Sequence, residues 1–123
     1  MAISPVKDIK RAQKESLLLR TISQLFMQTT MDDPRLVDVF VNRVQLSPDK
    51  GACYVFFYSA KGKDHFTDVL EFLKLYKPSL RKAIAQTLNG RYTPELIFRF
   101  DEQFEKQMKI ENLLEKIKVD EQL

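Results

Sequence analysis

Little in this chain equips it for catalysis. Among 123 residues there is one cysteine, one histidine, no tryptophan and only three glycines. A single cysteine excludes an internal disulfide framework and suits a reducing compartment. Cys53 lies in the most apolar stretch of the chain, where burial favours the neutral thiol over the thiolate that nucleophilic catalysis requires. One histidine with scattered carboxylates falls short of a zinc constellation, which takes four ligands or three and a water. His65 does sit between Asp64 and Asp68, but Asp64 has a simpler use as a negative charge at a helix start. Gly51, Gly62 and Gly90 lie too far apart for a phosphate-cradling loop. The longest apolar run, Cys53 to Tyr58, is far too short to cross a bilayer. The N-terminus has no long apolar core followed by a small-residue cleavage site. These shortages predict a cytoplasmic protein with no enzymatic activity, no cofactor, no metal and no membrane partner.

What is present is an ordinary globular composition, 44% hydrophobic and 30% charged, long enough for a single domain over residues 1–123. Net charge is only +3, yet it is segregated. Residues 1–20 carry +3, residues 21–70 carry −1, residues 71–100 carry +4 and residues 101–123 carry −3. That division suggests a basic face and an acidic tail.

Periodicity then orders the elements. Ser4-Pro5 has the form of an N-cap followed by proline at the first helical position. From there to about Thr29 the chain reads as one helix, with Leu18, Leu19, Ile22, Leu25 and Phe26 within one arc. In its first half Lys7, Lys10, Arg11 and Lys14 follow helical spacing as a cationic stripe, expected to project past the core into solvent. Asp32-Asp33-Pro34-Arg35 breaks the helix. Val37, Val39 and Val41 alternate as in a strand. A phase shift to Val44 and Leu46 indicates a bulge near Asn42-Arg43. The turn Ser47-Pro48-Asp49-Lys50-Gly51 joins it to a strand from Ala52 to Tyr58, which predicts an antiparallel hairpin.

Phe66, Val69, Leu70, Phe72 and Leu73 mark an amphipathic helix ending near Tyr76. Pro78 separates it from a second helix, with Ser79 as the expected cap, which Asn89-Gly90 closes. Ile97, Phe98, Arg99 and Phe100 alternate as a third strand. A last helix, about 102–119, carries Phe104, Met108, Ile110, Leu113, Leu114 and Ile117, and is expected to pack on the domain. Asp32-Asp33 and Asp101-Glu102 sit at element boundaries, where capping accounts for them. The economical packing is an α+β fold, a three-stranded sheet with helices on one face plus a C-terminal helix.

Chemistry is left to cations at element ends with aromatics nearby. Lys74, Lys77, Arg81, Lys82 and Arg91 bracket the broken helix pair. A helix start with adjacent Lys and Arg suits a phosphate. Tyr76 offers a ring either to a base or to packing at the helix break. No recognition helix or dimer signature points to duplex DNA, so RNA is the favoured polyanion and a monomer the expected state.

Several fragments occur together in a telling order. They are Asp33-Pro34-Arg35-Leu36, Val41…Val44…Ser47-x-Asp49, Ala52-x-Tyr54-Val55, Leu80-Arg81, Pro94-Glu95-Leu96-x-Phe98-x-x-Asp101 and Met108-Lys109-Ile110…Leu113-Leu114. In this order and spacing the chain resembles bacterial ribosome-binding factor A, from about Lys10 to Ile117. The resemblance implies a KH-type fold with the type II order helix–strand–strand–helix–helix–strand. It also implies a non-enzymatic factor that binds the small (30S) ribosomal subunit and its ribosomal RNA, assists late maturation including 5′-end processing, and supports growth in the cold. Lys7, Lys10, Arg11, Lys14, Lys74, Lys77, Arg81, Lys82 and Arg91 are the candidate RNA contacts. Two departures stand out. Tyr76-Lys77-Pro78 replaces the family's Ala-x-Gly kink, where small residues permit close backbone approach. Asn89-Gly90-Arg91 replaces a more basic segment. A general single-stranded RNA binder or a protein-interaction module is the alternative reading.

Overall fold

Where the hydrophobic period changes from helical to alternating, the backbone follows. The computed structural model describes residues 5–89 and 92–122, with side chains for 9–89 and 92–121. Helix α1 spans Pro5–Thr30 and a 3-10 turn spans Pro34–Leu36. Strands β1 (Val39–Leu46) and β2 (Ala52–Ser59) precede helices α2 (Lys63–Lys74) and α3 (Lys77–Thr87). Strand β3 (Glu95–Phe100) and helix α4 (Glu102–Gln122) complete the chain. This is the KH-type order with a helix appended, as expected. The first strand starts at Val39 rather than Val37: Asp33 caps the 3-10 turn, Leu36 is buried, and Val37 points to solvent.

The strands lie in the order β1-β2-β3, with β1 antiparallel and β3 parallel to β2. The register of β1 shifts between Val41 and Arg43, the bulge that the change of apolar phase announces. The bulge lets Val39 and Val44 both reach the core despite their odd spacing. Alternation puts Cys53, Val55 and Phe57 of β2 inward, beside Leu96, Phe98 and Phe100 of β3. Leu18, Ile22 and Phe26 of α1, Phe66, Val69 and Leu73 of α2, and Leu80 and Ile84 of α3 close over them. Phe57 is the hub, its ring meeting Phe26, Phe66 and Phe98 at 4.9–5.9 Å. A fully buried aromatic of this kind contributes about 2–3 kcal/mol relative to an exposed one.

The helix break sits before Lys77, not at Pro78. Leu75 and Tyr76 both keep right-handed backbone angles, and Pro78 lies in the first turn of α3. Proline's missing N–H has no partner to lose there, so Ser79 is inside the helix and does not cap it. Asn89, at φ 59°, supplies the left-handed residue after α3. Gly90 lies outside the described residues.

Asp101 joins β3 to α4. Its buried carboxylate accepts from Asn42 Nδ2 (2.9 Å), Arg43 Nε (2.8 Å) and the Phe104 N–H (3.1 Å). Burial would raise its pKa, but these bonds outweigh it and hold the carboxyl below its ordinary value. The same group caps α4 and pins the bulge of β1.

Beyond that junction α4 departs from its expected packing. Phe104 sets its ring edge-on against Tyr58 at 4.7 Å. Ile110, Leu113, Leu114 and Ile117 are all largely exposed, Leu113 at 60%. The helical wheel gives the reason. Phe104 and Met108 lie within about 40° of each other, while the other four occupy an arc of about 100° on the opposite side. A helix seated through Phe104 therefore turns the remaining stripe away from the domain. Removing residues 110–123 is expected to change the unfolding free energy by less than about 0.5 kcal/mol. Chemical denaturation checks this, and a loss of about 2 kcal/mol or more would mean that the stripe is part of the core.

Candidate nucleic-acid interface

Arg81 and Lys82 sit on the outward side of α3, because Leu80 and Ile84 bury the inward one. With Lys77 and Pro78 they face Thr93, Glu95 and Leu96 across a cleft of about 500 Å³ between the start of α3 and the approach to β3. Three cations against one carboxylate make it a basic cleft. Arg81 and Lys82 have no ion-pair partner among the described residues. Lys77 is half-buried and holds its ammonium over the Phe98 ring, 5.0 Å from the centroid. Phosphate oxygens placed there would meet charge-assisted donors from two turns of one helix.

Tyr76, beside this cleft, has a structural assignment. Its hydroxyl donates to Asp33 Oδ2 at 2.8 Å, and its ring packs at the edge of the core. Asp33 also accepts from the Arg35 N–H (3.1 Å), Nε (2.9 Å) and Nη2 (2.8 Å). Arg35 in turn lies 4.0 Å above the Phe72 ring on α2. Asp33-Pro34-Arg35 thus grips both sides of the α2–α3 break, and the bulky residue at the kink is one half of that grip. Arg35 pairs with a carboxylate. The hydrogen bond from Arg35, then that from Tyr76, hold the Asp33 carboxyl far below its ordinary value, while the carboxylate raises the Tyr76 phenol.

The other predicted cations fare differently. Lys74 pairs with Glu71 at 3.3 Å in the last turn of α2. Arg11 is fully engaged. Its guanidinium donates to the carbonyls of Leu46 (3.3 Å), Ser47 (3.4 Å) and Pro48 (3.0 Å), clamping α1 to the β1–β2 turn. The solvent projection expected of its stripe is thereby corrected at Arg11, while Lys10 keeps it. On the wheel, Arg11 lies about 20° from the direction of Leu18, so the stripe continues the core-facing side of α1. Lys14 is half-buried for the same reason, and Lys10 is exposed. None of these lines the α3 cleft. Lys7 and Arg91 lie outside the residues whose side chains are described.

Cys53 is buried in β2, and burial, with the Glu15 charge adding to it, pushes its thiol up to about 12. His65 Nε2 is buried without a hydrogen-bond partner among the described residues. No cluster of three or more His, Cys, Asp or Glu side chains is gathered for a metal among those residues. Nor is any helix among them long and apolar enough to cross a membrane. Arg43 and Arg99, which the sequence pattern does not single out, flank Phe56 on the outer face of the sheet.

The chain is similar to known proteins along most of its length. The profile of the family described as Ribosome-binding factor A matches residues 10–114. Ribosome-binding factor A of Rhodopseudomonas palustris (strain BisB18) is 33% identical over 116 residues, covering 92% of this chain and 83% of that protein. The crystal structure of ribosome-binding factor A from Thermus thermophilus superposes with a TM-score of 0.60 at 26% identity. It covers 73% of this chain and 93% of that one. Homology-built coordinates of the Thermus protein, fitted into a cryo-EM map of a 30S complex, superpose with a TM-score of 0.54 at 26% identity. That match covers 69% of this chain and 88% of the other.

The clamp carries a pH signature. A carboxyl whose native pKa is depressed contributes stability above its unfolded value, about 3.9, and loses it as the pH falls through the native value. The stability difference between the wild type and Asp33→Asn should therefore shrink as the pH is lowered from about 5 to about 2. Denaturant titrations at each pH test this, since Asp101 titrates in both proteins and cancels. A difference independent of pH would show that the charge on Asp33 is not what the clamp uses.

Proposed function

The chain belongs to the ribosome-binding factor A family, and on that premise we propose that it is a non-enzymatic assembly factor of the small ribosomal subunit. It acts in the cytoplasm as a monomer and holds pre-ribosomal RNA in the conformation that late maturation requires, 5′-end processing included. The observation that carries this reading is the likeness to a Thermus protein fitted into a map of its 30S complex. The basic cleft at the start of α3 supports it, with Arg81 and Lys82 on RNA phosphates and Lys77 beside them. Lys10, and more weakly Lys14 and Lys74, are peripheral contacts. Arg11 contributes by positioning the hairpin turn.

Such a factor works through differential affinity. A protein that binds one subunit conformation more tightly than another shifts the population by that difference, and equal affinity for the two shifts nothing. Rigidity at the kink serves this end, because a helix whose direction is set before binding loses less entropy on docking. A second reading, contact with a protein partner, is favoured by the outward apolar stripe Ile110, Leu113, Leu114 and Ile117.

Charge reversal tests the first reading. Arg81→Glu with Lys82→Glu is expected to weaken association with purified small subunits by about tenfold or more and to flatten its salt dependence. The thermal transition should be preserved, because both side chains are exposed. Co-sedimentation gives the binding and circular dichroism the fold. Unchanged binding by a folded double variant would remove α3 from the interface.

A further inference from the structure

The sheet face turned away from α1, α2 and α3 carries chemistry that the α3 cleft does not use. Cys53, Val55 and Phe57 point into the core, so Tyr54, Phe56 and Tyr58 point out. The register sets Arg43 and Arg99 on either side of Phe56, and Gln45 and Ile97 on either side of Tyr54. Tyr58 is covered by Phe40 and by Phe104 of α4. Tyr54 and Phe56 remain partly exposed, their rings 6.5 Å apart at 34°. A surface cavity of about 630 Å³ is lined in part by Arg43, Tyr54, Phe56 and Arg99 of this face and in part by Phe66 and Leu70 of α2, so it reaches beyond the face.

Arg43 is held in an unusual way for a surface arginine. Its guanidinium lies 3.9 Å over the Phe56 ring, and Asp101 fixes its edge through Nε and Nη2, yet the side chain remains 39% exposed. One plane is against the ring, and part of the side chain is left to solvent. A flat, pre-oriented guanidinium is a surface on which a nucleobase stacks, and a tyrosine ring is another. Arg99 is exposed and has no ion pair among the described residues, which leaves it free for a phosphate. Gln45 and Gln103 add amide donors and acceptors to the same lining. An apolar protein segment laid on this face would bury Arg99 with its charge unpaired, which disfavours that occupant.

We infer that the outer face of the sheet is a second RNA-contacting surface. It takes unstacked bases of a single strand on Tyr54 and on the Arg43–Phe56 stack, with Arg99 on the adjoining phosphate. This rests on the proposed function in one respect only, that RNA is the partner. Fluorescence anisotropy of the full chain with a labelled single-stranded RNA of roughly ten nucleotides tests it. Tyr54→Ala and Arg99→Gln are each expected to weaken binding by about tenfold, and Tyr54→Phe, which keeps the ring, to bind as the wild type does. Equal binding by the wild type and Tyr54→Ala overturns the proposal. So does a wild type that binds small subunits but not the oligonucleotide. A wild type that binds neither probe overturns the assembly reading as well.

Discussion

The carboxylate of Asp33 is the joint on which the geometry of the candidate site depends. Leu75 and Tyr76, between α2 and α3, both hold right-handed backbone angles. Pro78 has no N–H for the carbonyl of Lys74 four residues earlier, so α2 does not run on into α3, and no glycine supplies the bend. The bend is held from outside, by a carboxylate that takes the Tyr76 hydroxyl on one oxygen and the Arg35 side chain on both. Arg35 returns to α2 through the Phe72 ring. This joint lies at the foot of α3, whose buried Leu80 and Ile84 seat it on the core and whose outer side carries Arg81 and Lys82. This chain holds its bend through a phenol and a carboxylate.

Asp101 does for the other face what Asp33 does for the kink. It ends β3, caps α4, holds the bulge of β1 through Asn42 and orients Arg43 over Phe56. A buried carboxylate is costly unless each oxygen is satisfied, and here arginine, amide and backbone N–H donors converge on it. The two aspartates begin and end the stretch that contains all three strands. Acid acts on both in the same direction, since each carboxyl sits below its ordinary value and is stabilising only while charged.

Much of this architecture was legible in the residues. The apolar arc of α1, the alternation of β2 and the phase shift at Asn42-Arg43 are local patterns, and local patterns translate directly into elements and a bulge. The less legible features all depend on partners far away in the chain. Arg11 looked free because its acceptors are carbonyls 35–37 residues distant, in a turn whose position no helical wheel reveals. Tyr76 had two readings until Asp33, 43 residues away, took its hydroxyl. In α4 the apolar residues were visible, but an apolar arc says only that a face exists, not which way it turns once Phe104 has seated. The α3 cations were readable as candidates because exposure of charge on a short amphipathic helix is itself local.

The central claim is that this chain recognises the small ribosomal subunit through phosphate contacts. Co-sedimentation of the purified protein with isolated small and large subunits across a salt series tests it most directly. The account predicts selective pelleting with the small subunit, with an affinity that falls steadily as salt rises. Equal pelleting with both subunits, or none at low salt, would contradict it.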